Sequence, residues 1–425
     1  MRPPRVPVLL LALAASAGLL AAVGCSKSKN LTAPVPTVPL SRVVISPVTD
    51  TLRLGSTRQF TALAYDTLSA LVGAVSFQWL SRDPAVITVS SAGWVTARGE
   101  GSTRLVVQAG GRRDSATVFV YPDTGWFVQP NPAGGTALDG VFFQPDGRHG
   151  VAVGALGKIL ITADAGDNWA QVAGVPTTWA LHSVWFTDPD TGYAVGDNST
   201  MLRTVNGGGS WGLVPQASVI GVHLRRVYFV TPDTGWVAGD NGWIASTYDR
   251  GDHWHKVKLP TASSIRGLSF AGTLDGWAVG DVGFIARTRD GGASWHPVSS
   301  PTGQSLRSVW RASLTTAVAV GAQGTVLRTV GTPDSLVWQL APGAGANYTL
   351  LGVCFPVDST AGWAVGGNAT QGGAALRSGN DGFSWTPQVP KTVKTLNDVF
   401  FVDPLRGWAV GEGGTIVHTA RGGGR

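Results

Sequence analysis

The chain of 425 residues is poor in cysteine, methionine and glutamate, with two of each; the cysteines are Cys25 and Cys354 and the glutamates Glu100 and Glu412. Two cysteines cannot supply the framework of a disulfide-stapled protein, so stability has to come from burial. Charged residues make up only 14% of the chain, and a net charge of +6 is too dilute to mark a nucleic-acid binder. No Gly-x-Ser-x-Gly elbow occurs and the seven histidines are scattered, which leaves neither a nucleophilic triad nor a metal ligand set. Retaining and inverting glycosidases generally hold two carboxyl groups across the bond, and two glutamates give little material for that. No catalytic residue, metal or cofactor is therefore expected. What the chain has instead is 58 glycines and 17 tryptophans, the composition of many tight turns and many large buried anchors, which suits a repetitive all-β fold.

The longest apolar stretch, Val8 to Val23, follows Arg2 and Arg5 and closes on Gly24 and Cys25. It is shorter than the roughly 20 residues of a membrane span and has the form of a signal peptide over 1–24. Ala22-Val23-Gly24-Cys25 resembles the lipobox of bacterial lipoproteins, with Ala22 where Leu is usual. The resemblance implies lipidation of Cys25, and Ser26 in the next position implies the outer membrane. Removing Arg2 and Arg5 takes the charge from +6 to +4. Residues 25–40 are polar and rich in proline and threonine, the composition of a tether.

Seven short β-type runs between Ser41 and Pro122, separated by turn residues, predict an Ig-like β-sandwich over 41–122. Val44-Ile45-Ser46-Pro47, Gln59-Phe60-Thr61-Ala62, Trp79 to Val86 and Gly93-Trp94-Val95-Thr96-Ala97 resemble the bacterial Ig-like domain of group 2. Trp79 is the expected core tryptophan.

From residue 123 onward one pattern recurs: a small or aromatic residue, Ala-Val or Val-Ala, then glycine, at Gly154, Gly196, Gly239, Gly280, Gly321, Gly366 and Gly411. A period of about 42 residues built from four short β runs is that of a propeller blade. A second motif, Thr288-Arg289-Asp290-Gly291-Gly292-Ala293-Ser294-Trp295, resembles the Asp-box of bacterial neuraminidase repeats, with copies carrying Asp164, Asn206, Asp249 and Asn380 and an eroded one at Thr329 to Trp338. The acidic or amide side chain can accept hydrogen bonds from its own turn while the tryptophan seals the gap between blades, so these five residues are read as structural. The last copy stops before its tryptophan, and Gly125-Trp126-Phe127-Val128 matches the missing outer strand. Residues 123–425 are thus expected to form a seven-bladed β-propeller closed by its own N-terminal strand.

Together the repeats resemble those of the photosystem II assembly and stability factors, which implies a non-enzymatic protein. The preferred expectation is a cell-envelope scaffold whose propeller binds an unknown protein or surface polymer, with the Ig-like domain as spacer. The alternative is an assembly factor for a membrane complex, and a sialidase-type hydrolase ranks below both. Membrane contact is expected through the lipid alone, nucleic acid is not expected as a partner, and the chain is expected to be monomeric. His182, Arg225, Arg266 and Arg307 occupy equivalent positions in four consecutive repeats and are the candidate ligand-binding residues. They either form an arc that binds an anionic group or are neutralised by the acidic turns carrying Asp197, Asp240, Asp281 and Glu412 as a solvated network. Labelled palmitate should enter the protein, and Cys25→Ala should abolish the labelling; an unlabelled wild-type protein would mean ordinary secretion.

Overall fold

The computed structural model describes residues 39–423 apart from 122–124, 216–220, 342–347, 358, 369 and 371. Cys25, the leader and most of the tether lie outside them. None of the described helices is long and apolar enough to cross a membrane.

Residues 40–121 form three small sheets around one core that includes Ile45, Phe60, Ile87, Val95, Leu105, Val107 and Val118. The strands run as Leu40–Ser46, Thr49–Arg53, Thr57–Gln59, Thr61–Asp66, Gln78–Ser81, Ile87–Val89, Trp94–Ala97, Gly101–Ala109 and Arg112–Tyr121. Three features differ from the expectations raised by the sequence. Thr49–Arg53, which has Leu52 as its single apolar residue, becomes a strand by pairing in parallel with Thr117 to Tyr121. The run from Arg58 to Tyr65 is broken at Phe60, whose ring is buried in the core. Trp79 is half-buried and packs on the core's edge over Gly93 rather than at its centre.

Among the described residues, 125–423 fold into seven consecutive four-stranded antiparallel sheets, numbered I to VII here. Their innermost strands are Leu138–Phe143, Leu181–Phe186, Leu224–Phe229, Ile265–Ala271, Leu306–Arg311, Thr349–Cys354 and Leu396–Phe401. Each of these strands packs against the next, and the last packs back against the first, so the sheets surround a common axis as in a β-propeller. The fourth strand of sheet VII is Phe127–Val128, which pairs with His418 and Val417. Trp126, fully buried, meets Phe401 edge-on and donates to the Gln388 side chain of sheet VI at 3.0 Å.

One aromatic arrangement joins the sheets. A phenylalanine at the end of the inner strand receives the edge of its own sheet's outer tryptophan and the flat face of an aromatic from the second strand of the preceding sheet. Trp236 lies on Phe270 at 3.6 Å, Trp363 on Phe401 at 3.7 Å, Trp408 on Phe143 at 3.6 Å and Tyr193 on Phe229 at 4.4 Å. Each second-strand ring also donates a hydrogen bond into the next sheet's box turn: Trp236 to the Gly291 carbonyl, Trp363 to Gly422, Trp408 to Ala165 and Tyr193 to Arg250. Apolar area and a satisfied polar tip thus come from one side chain.

The ring's closure is where this packing can be tested. Trp126→Ala should destabilise the protein by about 3–5 kcal/mol, the usual cost of removing a buried tryptophan. Urea unfolding followed by circular dichroism would measure it; an unchanged midpoint would mean that residues 125–128 do not close sheet VII.

Candidate functional site

All seven inner strands carry the same irregularity. The pairing with the second strand slips by one residue between Leu138 and Gly140, Leu181 and Ser183, Leu224 and Arg226, Ile265 and Gly267, Leu306 and Ser308, Leu350 and Gly352, and Leu396 and Asp398. A β-bulge leaves its extra residue out of the ladder and re-aims that side chain. The extra residues are Asp139, His182, Arg225, Arg266, Arg307, Leu351 and Asn397. The four candidate residues are therefore consecutive members of a seven-membered ring of bulge residues at one mouth of the axis.

The repeat glycine follows from the same bulge. At Gly154, Gly196, Gly239, Gly280, Gly321, Gly366 and Gly411 a Cβ would overlap the carbonyl oxygen of the residue one before the bulged strand's first leucine or isoleucine. The next residue along the second strand then donates its N–H to that carbonyl, as Asp197 does to Ala180, Asp240 to His223 and Asp281 to Ser264. This contact pins the acidic turn beside the basic bulge.

The structure brings His182, Arg225, Arg266 and Arg307 together through carboxylates. His182 sits between Asp139, 3.1 Å from Nδ1, and Asp197, 2.9 Å from Nε2. Arg225 holds Asp240 with two hydrogen bonds of 2.9 and 2.8 Å and reaches Asp197 at 3.2 Å. Arg266 binds Asp281, with its shortest contact at 2.9 Å, and Arg307 shares that carboxylate at 3.3 Å. Neutralisation is uneven along the arc. Sheet V has Ala322 where sheets III and IV have Asp240 and Asp281, so Arg307 lacks an acid of its own sheet. Its Nε is buried without a partner, and burial together with the neighbouring Arg266 holds its pKa below the usual arginine value. Arg225, paired with Asp240, is shifted the other way.

Asp139 and Asn397, whose amide donates to Asp139 at 3.0 Å, extend the arc beyond the residues named from the sequence, and His223 joins it through Asp197 at 3.0 Å. Counting back from Glu412 by the interval that separates Arg225 from Asp240 reaches Asn397, a signal the sequence contained. Below the mouth, Arg226 of sheet III meets Asp398 of sheet VII across the axis at 3.5 Å, and burial raises the Asp398 pKa against the pull of Arg226. Rings of Phe142, Trp185, Tyr228, Trp310 and Phe400 then converge, Trp185 and Trp310 lying 6.4 Å apart although they belong to sheets II and V. The mouth is a cup with a charged floor rather than an open tunnel. Cys354 is buried at the far end of its inner strand, its thiol pushed up to about 12 by burial.

The box residues face the opposite end and use their acceptors locally. One oxygen of Asp164, Asn206, Asp249, Asp290 and Asn380 receives the N–H of the residue four places on, at 2.9–3.0 Å. The hydroxyl at the start of each box donates to the same side chain and accepts the N–H of the box glycine. Bonds from His253 and Ser294 respectively hold Asp249 and Asp290 down to about 2. In the eroded copy Thr329 bonds to Thr315 and Ala317 instead, while Trp338 remains buried against Trp277.

Burial opposes the charge on His182, but its bonds to Asp139 and Asp197 outweigh it and raise the pKa above 6.5. Protonated, His182 donates to both carboxylates. Once neutral with its proton on Nδ1, it can accept at Nε2 from Arg225 Nη1, 2.9 Å away. With the folded pKa raised, the stabilisation is complete below about 6.5 and is lost as pH rises through the folded value. In NMR titrations the His182 ring should show a midpoint above 6.5 that falls on Asp139→Asn; a midpoint unmoved by that change would remove Asp139 from the network.

Three comparisons bear on this architecture. Residues 168–347 match the sequence model of the family described as photosynthesis system II assembly factor YCF48. Among solved structures, YCF48 bound to a D1 peptide is 22% identical, covering 70% of this chain and 97% of that one with a TM-score of 0.58. YCF48 from Cyanidioschyzon merolae is also 22% identical, with 69% and 98% covered and a TM-score of 0.57. The WD40 repeats of RRP9, at 9% identity, cover 70% of this chain and 98% of theirs with a TM-score of 0.56. No curated protein matches the sequence. The chain carries a BNR-type propeller similar to that of YCF48.

Proposed function

We propose that the protein is a non-enzymatic assembly factor whose closed seven-bladed propeller holds a carboxylate-bearing segment of a membrane-complex subunit at the arginine arc. The carrying observation is the uneven neutralisation: Arg266 and Arg307 share Asp281, and Ala322 stands where Arg307's own acid would be. A carboxylate from a partner supplies the missing charge, and guanidinium groups bind such groups through paired, charge-assisted hydrogen bonds. His182 and Arg225, better matched by Asp139, Asp197 and Asp240, position the open end of the arc. The family match over residues 168–347 and the relative solved with a D1 peptide bound favour this reading over a passive envelope scaffold.

In this reading residues 41–122 are an Ig-like spacer, Cys25 carries the lipid that holds the protein at the outer membrane, and the protein acts as a monomer without a cofactor. The local satisfaction of the box carboxylates supports a structural rather than hydrolytic use of them.

Replacing Arg225, Arg266 and Arg307 together by Ala should leave the fold intact, because these bulge residues lie at the rim. Affinity purification from native membranes followed by mass spectrometry should then lose the partner recovered with the unaltered protein, and that recovery should weaken as salt is raised. Equal recovery by a folded triple variant would overturn the assignment and leave the arc a solvated network.

A further inference from the structure

At the junction of sheets I and II one member of the aromatic arrangement found at four other junctions is missing. Phe186 receives the edge of Trp211 at 6.0 Å, as Phe270 receives Trp295 at 5.8 Å. Phe142 flanks it at 5.6 Å and 26°, as Tyr228 flanks Phe270 at 6.2 Å and 26°. The third neighbour, the flat ring that Trp236 lays on Phe270, has no counterpart, because sheet I carries Val151 at that position. The missing ring also leaves the box turn without its donor. The carbonyl of Gly207 corresponds to those of Gly291, Gly422, Ala165 and Arg250, each of which accepts from the incoming ring. Sheet V has a valine at this position too, Val318, but there Arg328 donates to the equivalent Asp381 carbonyl at 2.8 Å and covers Phe383. In sheet V, where Arg311 replaces the phenylalanine, Arg287 and Arg289 of sheet IV donate to the Pro333 carbonyl.

A cleft opens where the ring is missing. Its volume is about 520 Å³, and it is lined by Phe142, Val151, Phe186, Asn206 and Gly207, with Asp146, His149 and Asp190 among its polar lining. It lies on the box face, at the opposite end of the axis from the arc.

We infer that this cleft is a binding site for a tryptophan side chain of a partner polypeptide. The occupant's chemistry is set by the molecule's own repeats: a flat ring to cover Phe186 and one N–H to reach the Gly207 carbonyl. Beyond one indole the cleft has room for the adjoining peptide groups, which the side chains of Asp190 and His149 can meet. The site shares with the arc only the idea that the propeller binds protein, and the two can fail separately.

Isothermal titration of the purified protein with acetyl-Gly-Trp-Gly-amide tests it. Binding is expected, about tenfold weaker when the indole nitrogen is methylated, the factor that corresponds to one lost hydrogen bond. Val151→Trp should restore the internal ring, raise the melting temperature and abolish peptide binding. If that variant folds poorly, Phe186→Ala should still weaken binding at least tenfold. The triple arginine variant should bind the tripeptide unchanged. No binding, or equal affinity for the methylated peptide, would overturn the proposal; so would binding of free indole without the tripeptide, which would make the cleft a small-molecule pocket.

Discussion

Seven glycines without room for a Cβ hold this propeller to its geometry. At each of them the bulged inner strand comes so close to the second strand that any side chain would strike a carbonyl. The close approach lets the following residue donate its N–H to that carbonyl, and the turn is locked beside the bulge. Ring, register and mouth are consequences of one steric rule repeated seven times. The surrounding side chains are free to vary because none of them sets this spacing.

That freedom is visible in the ring of bulge residues, which runs from Asp139 through one histidine and three arginines to Leu351 and Asn397. Charge is matched closely at His182 and Arg225 and poorly at Arg307, so the potential at the mouth rises along the arc although the backbone repeats. A fixed scaffold with a graded rim suits recognition, since ligand selectivity can change by one substitution in a turn without disturbing a core residue. The box carboxylates Asp164, Asp249 and Asp290 contribute nothing comparable, because one oxygen of each is engaged with a backbone N–H and the other with the side chain four places on.

The repeat was legible in the sequence because its cause is absolute: a residue with no alternative recurs at a readable interval. His182, Arg225, Arg266 and Arg307 were legible for the same reason, since each stands 14 residues before its glycine. Arg226 and Asp398 were not, because their meeting depends on a side chain crossing the axis between sheets III and VII, which no local spacing records. Thr49–Arg53 escaped because one apolar residue in five gives no alternation, and its partner strand lies far along the chain. Val151 was passed over for the opposite reason to the glycines. A repeat shows itself by agreement, whereas the cleft arises where one copy departs from it with no side chain to fill the gap.

The closing strand has a mechanical consequence. The strand that pairs the chain's entry point to sheet VII is just Phe127–Val128, with one further backbone bond from Gln129 to Ile416. Tension applied along the backbone from the N-terminal side would reach the ring at this short strand before any other. Trp126, one residue ahead of it, is keyed into sheet VI through Gln388 and braced against Phe401. The indole therefore acts as a stopper in the path of the pull, spreading strain over two sheets before the two-residue strand can peel away.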